Sequence, residues 1–154
     1  MITLLLLSAT AVAQPPALNP LVFFTGGSQG RGTIKIVFKP AQPLHVVSRG
    51  HADGKGGIIL DQQVRQGDAQ PKTRRWLLKP ASPTTLTGTL SDASGPVTGP
   101  VKGAVMTLAY PMKGGLEARQ TLTLQPGGRV LHNVMTVRKL GFTVARIDET
   151  ITKD

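Results

Sequence analysis

Residues 116–125 read LEARQTLTLQ, and apolar side chains in this stretch alternate with polar or charged ones. The apolar residues fall only on even positions, from Leu116 to Leu124, and every odd position is polar or charged. Successive side chains of a β-strand point to opposite faces, so the stretch is predicted to be a strand with one buried and one wet face. The same period of two recurs from Gln29 onward, which indicates an all-β chain.

We predict the strands from this alternation and from the Gly, Pro and Asp residues that interrupt it. The predicted ranges are 29–38, 43–52, 57–66, 72–79, 84–91, 97–110, 115–125, 129–138 and 142–151. The links are short, and a parallel crossover needs about a dozen residues, so neighbouring strands are expected to be antiparallel. A meander of about eight or nine strands is expected to close into an up-and-down, lipocalin-like β-barrel, because closure removes exposed edges. A sandwich of two sheets is the second candidate, and the last segment also fits a helical face.

The composition excludes several classes of chemistry. The chain has 154 residues, a length typical of one domain, and contains no cysteine. Disulfide scaffolds, thiolate metal sites and cysteine nucleophiles are therefore excluded. There are 18 Lys and Arg residues against 8 Asp and Glu, so the net charge of +10 is expected to attract anionic surfaces. Nucleic acid is not expected as a partner, because four Phe, one Trp and one Tyr leave few aromatic rings for base stacking.

The N-terminal segment has the pattern of an export signal. Residues 2–13 form an uncharged, mostly apolar run that ends in AVA. This pattern is typical of a cleaved secretory signal, and the run is shorter than the ~20 residues of a membrane-spanning helix. We therefore predict a signal peptide at residues 1–13, a lead-in segment at 14–28 and a barrel domain at 29–154. The mature protein is expected to be periplasmic or secreted, without a transmembrane segment.

Three stretches in register resemble a known family. They are LDQQV at 60–64 with GD at 67–68 and RRW at 74–76, then LTGTLSD at 86–92, then NVMTVRKLG at 133–141. Their order and spacing resemble the bacterial domain-of-unknown-function family 3833 over about residues 22–152. The resemblance implies a lipocalin-like barrel of the calycin type at the cell envelope, with no established activity.

The chain departs from the family pattern at positions that usually carry acidic, aromatic or basic residues. Neutral or apolar residues stand there instead: Gln62, Val64, Gln66, Gln120, Thr121, Leu122 and Val134. The resemblance therefore gives no support for chemistry that depends on those carboxylates. Part of the net charge of +10 is then explained by missing acids rather than by a binding signature.

Arg74 and Trp76 are the first candidates for ligand binding. They are two residues apart on a predicted strand, so both side chains point to one face. If that face lines the lumen, the guanidinium and the indole could hold the carboxylate or phosphate head group of a ligand whose tail lies in the barrel. The alternative, which we favour, is a structural plug in which Arg74 packs on Trp76 through a cation–π contact and closes one barrel end.

Asn133 and Lys139 complete the candidate ligand-binding set. Asn133 lies on the more apolar face of its strand, and a buried amide needs a ligand, a water molecule or a polar group of a neighbouring strand as its partner. Lys139 either reaches into the barrel mouth or lies in solvent. The three histidines His45, His51 and His132 lack the spacing of a metal site, so neither a metal nor a cofactor is expected.

Two functional hypotheses follow from these features. The first is an exported lipocalin-like protein that binds a small apolar or amphipathic ligand, such as a lipid or fatty acid, in the barrel lumen. The second is a non-catalytic envelope module that docks anionic lipid, lipopolysaccharide or an acidic protein through its basic surface. An enzyme would need an acid or base in the lumen, and no residue is assigned as catalytic because the sequence offers no convincing one.

Overall fold

The computed structural model describes Thr10 and residues 16–154. The predicted signal segment therefore lies outside the described residues, apart from Thr10. The first element is a helical turn, α1, at Pro20–Phe23. Asn19 caps α1 by accepting a hydrogen bond from the backbone N–H of Val22. No helix in the described part of the chain is both long and apolar enough to cross a membrane.

Ten antiparallel strands follow α1. They are β1 (Gly26–Ile36), β2 (Gln42–Ala52), β3 (Ile58–Gln66), β4 (Lys72–Ser82), β5 (Thr85–Leu90), β6 (Val97–Lys102), β7 (Val105–Met112), β8 (Leu116–Leu124), β9 (Val130–Lys139) and β10 (Phe142–Lys153). Each strand pairs with its neighbours in sequence, and β1 pairs with β10, so the sheet closes. The predicted up-and-down barrel is confirmed, the sandwich alternative is wrong, and the ambiguous last segment is a strand. β1 begins at Gly26, within the predicted lead-in segment.

The prediction of eight or nine strands is too low for one reason. Residues 97–110, predicted as one strand, form the hairpin β6–β7. Its turn contains Gly103 with φ +57°, in the left-handed region that glycine adopts without a steric penalty. The inward positions change parity at this turn, from Val97 on β6 to Met106 on β7. The regular spacing of Gly95, Gly99 and Gly103 fitted one face of a single strand and concealed that change.

The N-terminal segment closes one end of the barrel. Leu18, Phe23 and Phe24 are buried against the core. The backbone N–H of Leu18 donates to the Gly103 carbonyl at 2.9 Å. At the end of β10, Lys153 Nζ donates to the Phe23 carbonyl at 2.9 Å, so the last strand is tied to the plug.

The opposite end of the barrel, called the open end below, carries the turns that follow the odd-numbered strands. These turns span residues 37–41, 67–71, 91–96, 113–115 and 140–141. Between the two ends the interior is packed with side chains, and Met106 and Leu131 are completely buried. The rings of Trp76 and Tyr110 meet edge to face, with centroids 5.5 Å apart.

Candidate functional site

A layer of polar side chains crosses the otherwise apolar interior and is called the polar layer below. It consists of Ser48, Gln62, Arg74, Tyr110, Gln120, Asn133 and Glu149, which come from β2, β3, β4, β7, β8, β9 and β10. All of them except Arg74 are buried, and Arg74 is half-buried. Buried polar groups are costly unless they find partners, so the hydrogen bonds of this layer decide what it can do.

Gln62 is the hub of one half of the polar layer. Its Oε1 atom accepts hydrogen bonds from Trp76 Nε1 at 2.8 Å and from Arg74 Nε at 2.7 Å. Its Nε2 atom donates to Ser48 Oγ at 2.9 Å. The guanidinium carbon of Arg74 lies 5.8 Å from the Trp76 ring centroid, within cation–π range. Arg74 and Trp76 therefore share the inner face, as their spacing predicts, and Gln62 holds both in place.

Gln120 and Tyr110 form a second pair in the polar layer. Gln120 Nε2 donates to the Tyr110 hydroxyl oxygen at 2.6 Å. Burial raises the pKa of Tyr110 above the usual range, so the phenol stays protonated at neutral pH. Gln62 and Gln120 are two of the departures from the family pattern, and both are buried. The neutral amides therefore build the interior network rather than remove it.

Asn133 and Glu149 are direct cross-strand partners on β9 and β10. Asn133 Nδ2 donates to Glu149 Oε2 at 2.9 Å. Burial raises the pKa of the Glu149 carboxyl group, and this effect outweighs the opposing influences of the Asn133 hydrogen bond and of the Arg74 charge. Gly30 on β1 leaves the space for the carboxyl group, because a Cβ atom there would overlap Glu149 Oε1. The polar layer thus contains one acid whose pKa burial raises above its ordinary value.

Glu149 is the acidic member of the polar layer and was not singled out from the sequence. Four other members were likewise not predicted as site residues, namely Ser48, Gln62, Tyr110 and Gln120. Ile147 and Ile151 flank Glu149 at two-residue spacing, which on a strand puts all three on one face. That signal was masked because the segment also fitted a helix. On a helix, Ile147 and Ile151 share a face and Glu149 lies on the other side, in solvent.

Within the polar layer the barrel is nearly full. The enclosed cavity measures about 30 Å³, which is room for about one water molecule. Asn133 Oδ1 and Ser28 Oγ are buried without a hydrogen-bond partner among the described residues. A water molecule in the cavity is the simplest partner for the amide oxygen of Asn133, which lines it. An acyl chain does not fit into this volume.

A larger pocket of about 460 Å³ lies at the open end and is called the mouth below. Its lining includes the inward positions Gln42, Val64, Gln66, Lys72 and Arg74, together with Asp92 from a turn. Arg74 lines both the mouth and the buried cavity, so its side chain separates the two. Concave regions of about 620 and 650 Å³ lie mainly against outward-facing side chains of the barrel wall, and the first of them also borders the inward residues Ser48, Gln62 and Arg74.

Lys139 does not join the polar layer. It is exposed at the rim of the open end, opposite Leu116 on β8 and Phe142 on β10.

The histidines lie apart from one another. His132 Nε2 lies 2.9 Å from Asp148 Oδ1 on the outer surface, and His45 Nε2 lies 3.4 Å from Gln29 Oε1. Across Thr10 and residues 16–154, no group of three or more His, Asp or Glu side chains is arranged to hold a metal ion.

The comparisons with known proteins agree with this architecture. The family model described as "Protein of unknown function (DUF3833)" matches residues 7–153. The chain belongs to this family. No curated protein sequence matches the DUF3833 chain.

Solved structures show that this DUF3833 barrel has a calycin-like fold. An S-type phycobiliprotein lyase from Guillardia theta superimposes with a TM-score of 0.67 at 7% identity, covering 87% of this chain and 90% of its own. Rv2717c from M. tuberculosis superimposes with a TM-score of 0.63 at 18% identity, and the match covers 89% of this chain and 99% of Rv2717c. A DUF3598 protein of unknown function from Nostoc punctiforme gives 0.69 at 15% identity, covering 96% of this chain and 54% of its own. At these identities the likeness shows the fold alone.

Proposed function

We propose that this DUF3833 protein is a non-catalytic carrier that binds a small amphipathic ligand with an anionic head group, such as a fatty acid or lipid, at the barrel mouth. One observation carries the proposal: Arg74 is the cation at the floor of the mouth. Its Nε atom donates a hydrogen bond to Gln62 Oε1, which leaves the two Nη groups as donors for a carboxylate or phosphate. The mouth volume of about 460 Å³ lies within the ~300–1,000 Å³ typical of small-molecule sites.

The filled interior determines where the apolar tail would lie. The buried cavity of about 30 Å³ has no room for it, so the tail would lie along Val64 within the mouth instead of deep in the lumen. The small volume of the buried cavity also supports a binding role over an enzymatic one. Glu149 is an interior acid, but it is bonded to Asn133 and no substrate-sized space adjoins it. The likeness to a phycobiliprotein lyase therefore supports no lyase activity here.

The test is a calorimetric titration of the protein with dodecanoate and with dodecanol, which share a chain length and differ in head-group charge. We expect dodecanoate to bind more tightly. Arg74→Met should weaken dodecanoate binding about 10- to 100-fold, as loss of a charge-assisted contact does. Arg75→Met is the matched control, because Arg75 points outward and pairs with Asp61 at 2.6 Å. Equal affinities for the two variants would contradict the proposal.

The docking-module alternative rests on the net charge of +10 and on the many outward Lys and Arg residues. It predicts binding to anionic surfaces that weakens steeply with salt, because exposed charges are screened within about 10 Å at 0.1 M ionic strength. Dodecanoate bound at a half-buried Arg74 should respond less to salt. A salt titration of both interactions therefore separates the two functions.

We also propose that the protein acts in the periplasm or outside the cell, after cleavage behind Ala13. The support is the apolar run at residues 2–13 and its AVA ending. Cell fractionation of the native host and N-terminal sequencing of the purified protein test this. A mature chain that begins at Gln14 is expected, and an intact Met1 terminus in a cytosolic fraction would contradict it.

A further inference from the structure

Large apolar side chains are exposed on two turns of the open end. Within the described residues, the three most exposed large hydrophobic side chains are Phe38 at 99%, Leu140 at 88% and Phe142 at 75%. Phe38 lies in the β1–β2 turn, and the other two lie at the β9–β10 turn. Isolated exposed apolar residues are ordinary, but their concentration at one place marks an interaction surface.

The two turns are neighbours in the barrel. β1 pairs with β10, and Ile36 is the partner of Ala145. One step further, the backbone N–H of Val37 donates to the Val144 carbonyl at 2.9 Å. The ladder therefore carries Phe38 and Phe142 to the same sector of the rim. Together with Leu140 they form the surface called the apolar tips below.

Two of the apolar tips have an unfavourable backbone conformation that no burial of their side chains offsets. Phe38 has φ +64° and Leu140 has φ +50°, both in the left-handed region that is unfavourable for residues with a Cβ atom. Glycine or asparagine would satisfy the same turn geometry at lower cost. The fold does not explain why bulky, exposed residues occupy these strained backbone positions. The strain therefore points to a contact between these side chains and another molecule.

Basic residues surround the apolar tips. They are Lys35, Lys39, Lys113, Arg138, Lys139 and Arg146, from β1, β9, β10 and the adjoining turns. Lys35 and Arg146 are direct cross-strand partners, and like charges in this arrangement destabilise a sheet. The carboxylate in this sector is Glu117, the cross-strand partner of Arg138. The other side of the mouth carries Asp68 and Asp92, so positive charge is concentrated beside the tips.

We propose that the apolar tips dock on a lipid bilayer that contains anionic phospholipid. The tips are three highly exposed side chains on two neighbouring turns. A bilayer interface accepts separate protruding apolar groups, and the surrounding cations match its negative surface. The inference goes beyond ligand binding at the mouth and does not depend on it, although docking of this rim would turn the mouth toward the lipid.

The test is flotation of the full chain with phosphatidylcholine vesicles, with and without phosphatidylglycerol. Binding is expected on the anionic vesicles only. The double variant Phe38→Ser with Phe142→Ser should weaken it about tenfold or more, since two apolar side chains lose their place in the lipid. The double variant Val47→Ser with Leu77→Ser is the matched control. Both control residues are 45% exposed on the outer wall, away from the open end, and their loss should leave vesicle binding unchanged.

A fluorescence measurement gives a second readout that does not depend on affinity. Trp76 is the single tryptophan and is buried, so a tryptophan introduced by Phe38→Trp supplies the solvent-sensitive signal. Its emission should shift to shorter wavelength on addition of anionic vesicles. Absence of the shift, equal losses for the two serine pairs, or tip-dependent dimerisation without vesicle binding would overturn the proposal. Dodecanoate binding without vesicles should be unchanged in the Phe38/Phe142 variant, so failure of docking and failure of the ligand site are distinguishable.

Discussion

Glu149 Oε2 accepts a hydrogen bond of 2.9 Å from Asn133 Nδ2 inside the barrel, and the two residues face each other across β9 and β10. The carboxyl group occupies space left by Gly30 on the adjoining strand. An interior acid held in this way is stable while it remains neutral, because ionisation in a buried site is costly. The relationship makes the barrel interior sensitive to pH, although its other polar groups are neutral apart from Arg74.

Replacement of Glu149 by Gln should change the pH dependence of stability. The folded pKa of Glu149 is raised, so the native state keeps a proton that the unfolded chain releases above about pH 4.3. This stabilisation is fully present below that pH and is lost as pH rises through the folded pKa. Relative to Glu149→Gln, the wild-type protein should therefore lose stability as pH rises above about 4.3 and through the folded pKa of Glu149.

Urea unfolding of both proteins at several pH values measures this difference. Asp53 and Asp61 have lowered pKa values and contribute the opposite slope at acidic pH. Their contribution cancels between wild type and variant, because both proteins contain them. A difference in unfolding free energy that stays constant with pH would show that Glu149 has an ordinary pKa.

Removal of the Gln62 amide should destabilise the polar layer. Gln62→Leu leaves Trp76 Nε1 and Ser48 Oγ without their partners, and we expect a loss of about 2–3 kcal/mol in the free energy of unfolding. Chemical denaturation followed by tryptophan fluorescence reports both stability and the environment of Trp76. Gln63→Leu is the control, because Gln63 is exposed on the outer face and should change stability by less than about 0.5 kcal/mol. A similar effect of both variants would contradict the hub role of Gln62.

Gly30 and Glu149 should be energetically coupled. In Gly30→Ala the new Cβ atom overlaps Glu149 Oε1, and displacement of the buried carboxyl group is expected to cost about 1–3 kcal/mol. In a Glu149→Ala background the overlap is gone, so the same substitution should cost less. A double-mutant cycle by thermal or urea unfolding isolates this coupling. Additive effects of the two substitutions would place the carboxyl group elsewhere.

Loss of the Lys153 ammonium group should loosen the plug. Lys153 Nζ donates to backbone carbonyls of Phe23 and Thr25, and Lys153→Met removes these charge-assisted bonds at a cost of about 1–2 kcal/mol. Hydrogen exchange should accelerate at residues 18–25 before the strands are affected. Lys102→Met is the control, because Lys102 is exposed at the end of β6. Uniform exchange changes along the chain would mean that the plug is not an independent unit.

The alternation of apolar and polar residues predicted most of the strands, and the positions of Arg74 and Trp76 on one face, because a two-residue period is a local property of extended backbone. The same reasoning missed the β6–β7 turn at Gly103. Gly103 continues the four-residue spacing of Gly95 and Gly99, so it fits one face of a continuous strand as well as a turn. It also missed Glu149, since a helical and an extended reading of residues 142–151 assign that side chain to opposite environments.

The sequence by itself determined an all-β chain of short-linked antiparallel strands and membership of the DUF3833 family, because strand periodicity and family motifs are written along the chain. Only the tertiary structure decided the register of the closing β1–β10 pair, that the polar side chains of seven strands lie in one layer, and that the interior is nearly full. Those outcomes depend on the register of each strand against the next, as in the pairing of Ser28 with Lys153. The register of each hairpin also depends on the geometry of its turn, and the closing pair β1–β10 joins distant parts of the chain, so the side-chain alternation alone does not fix the register.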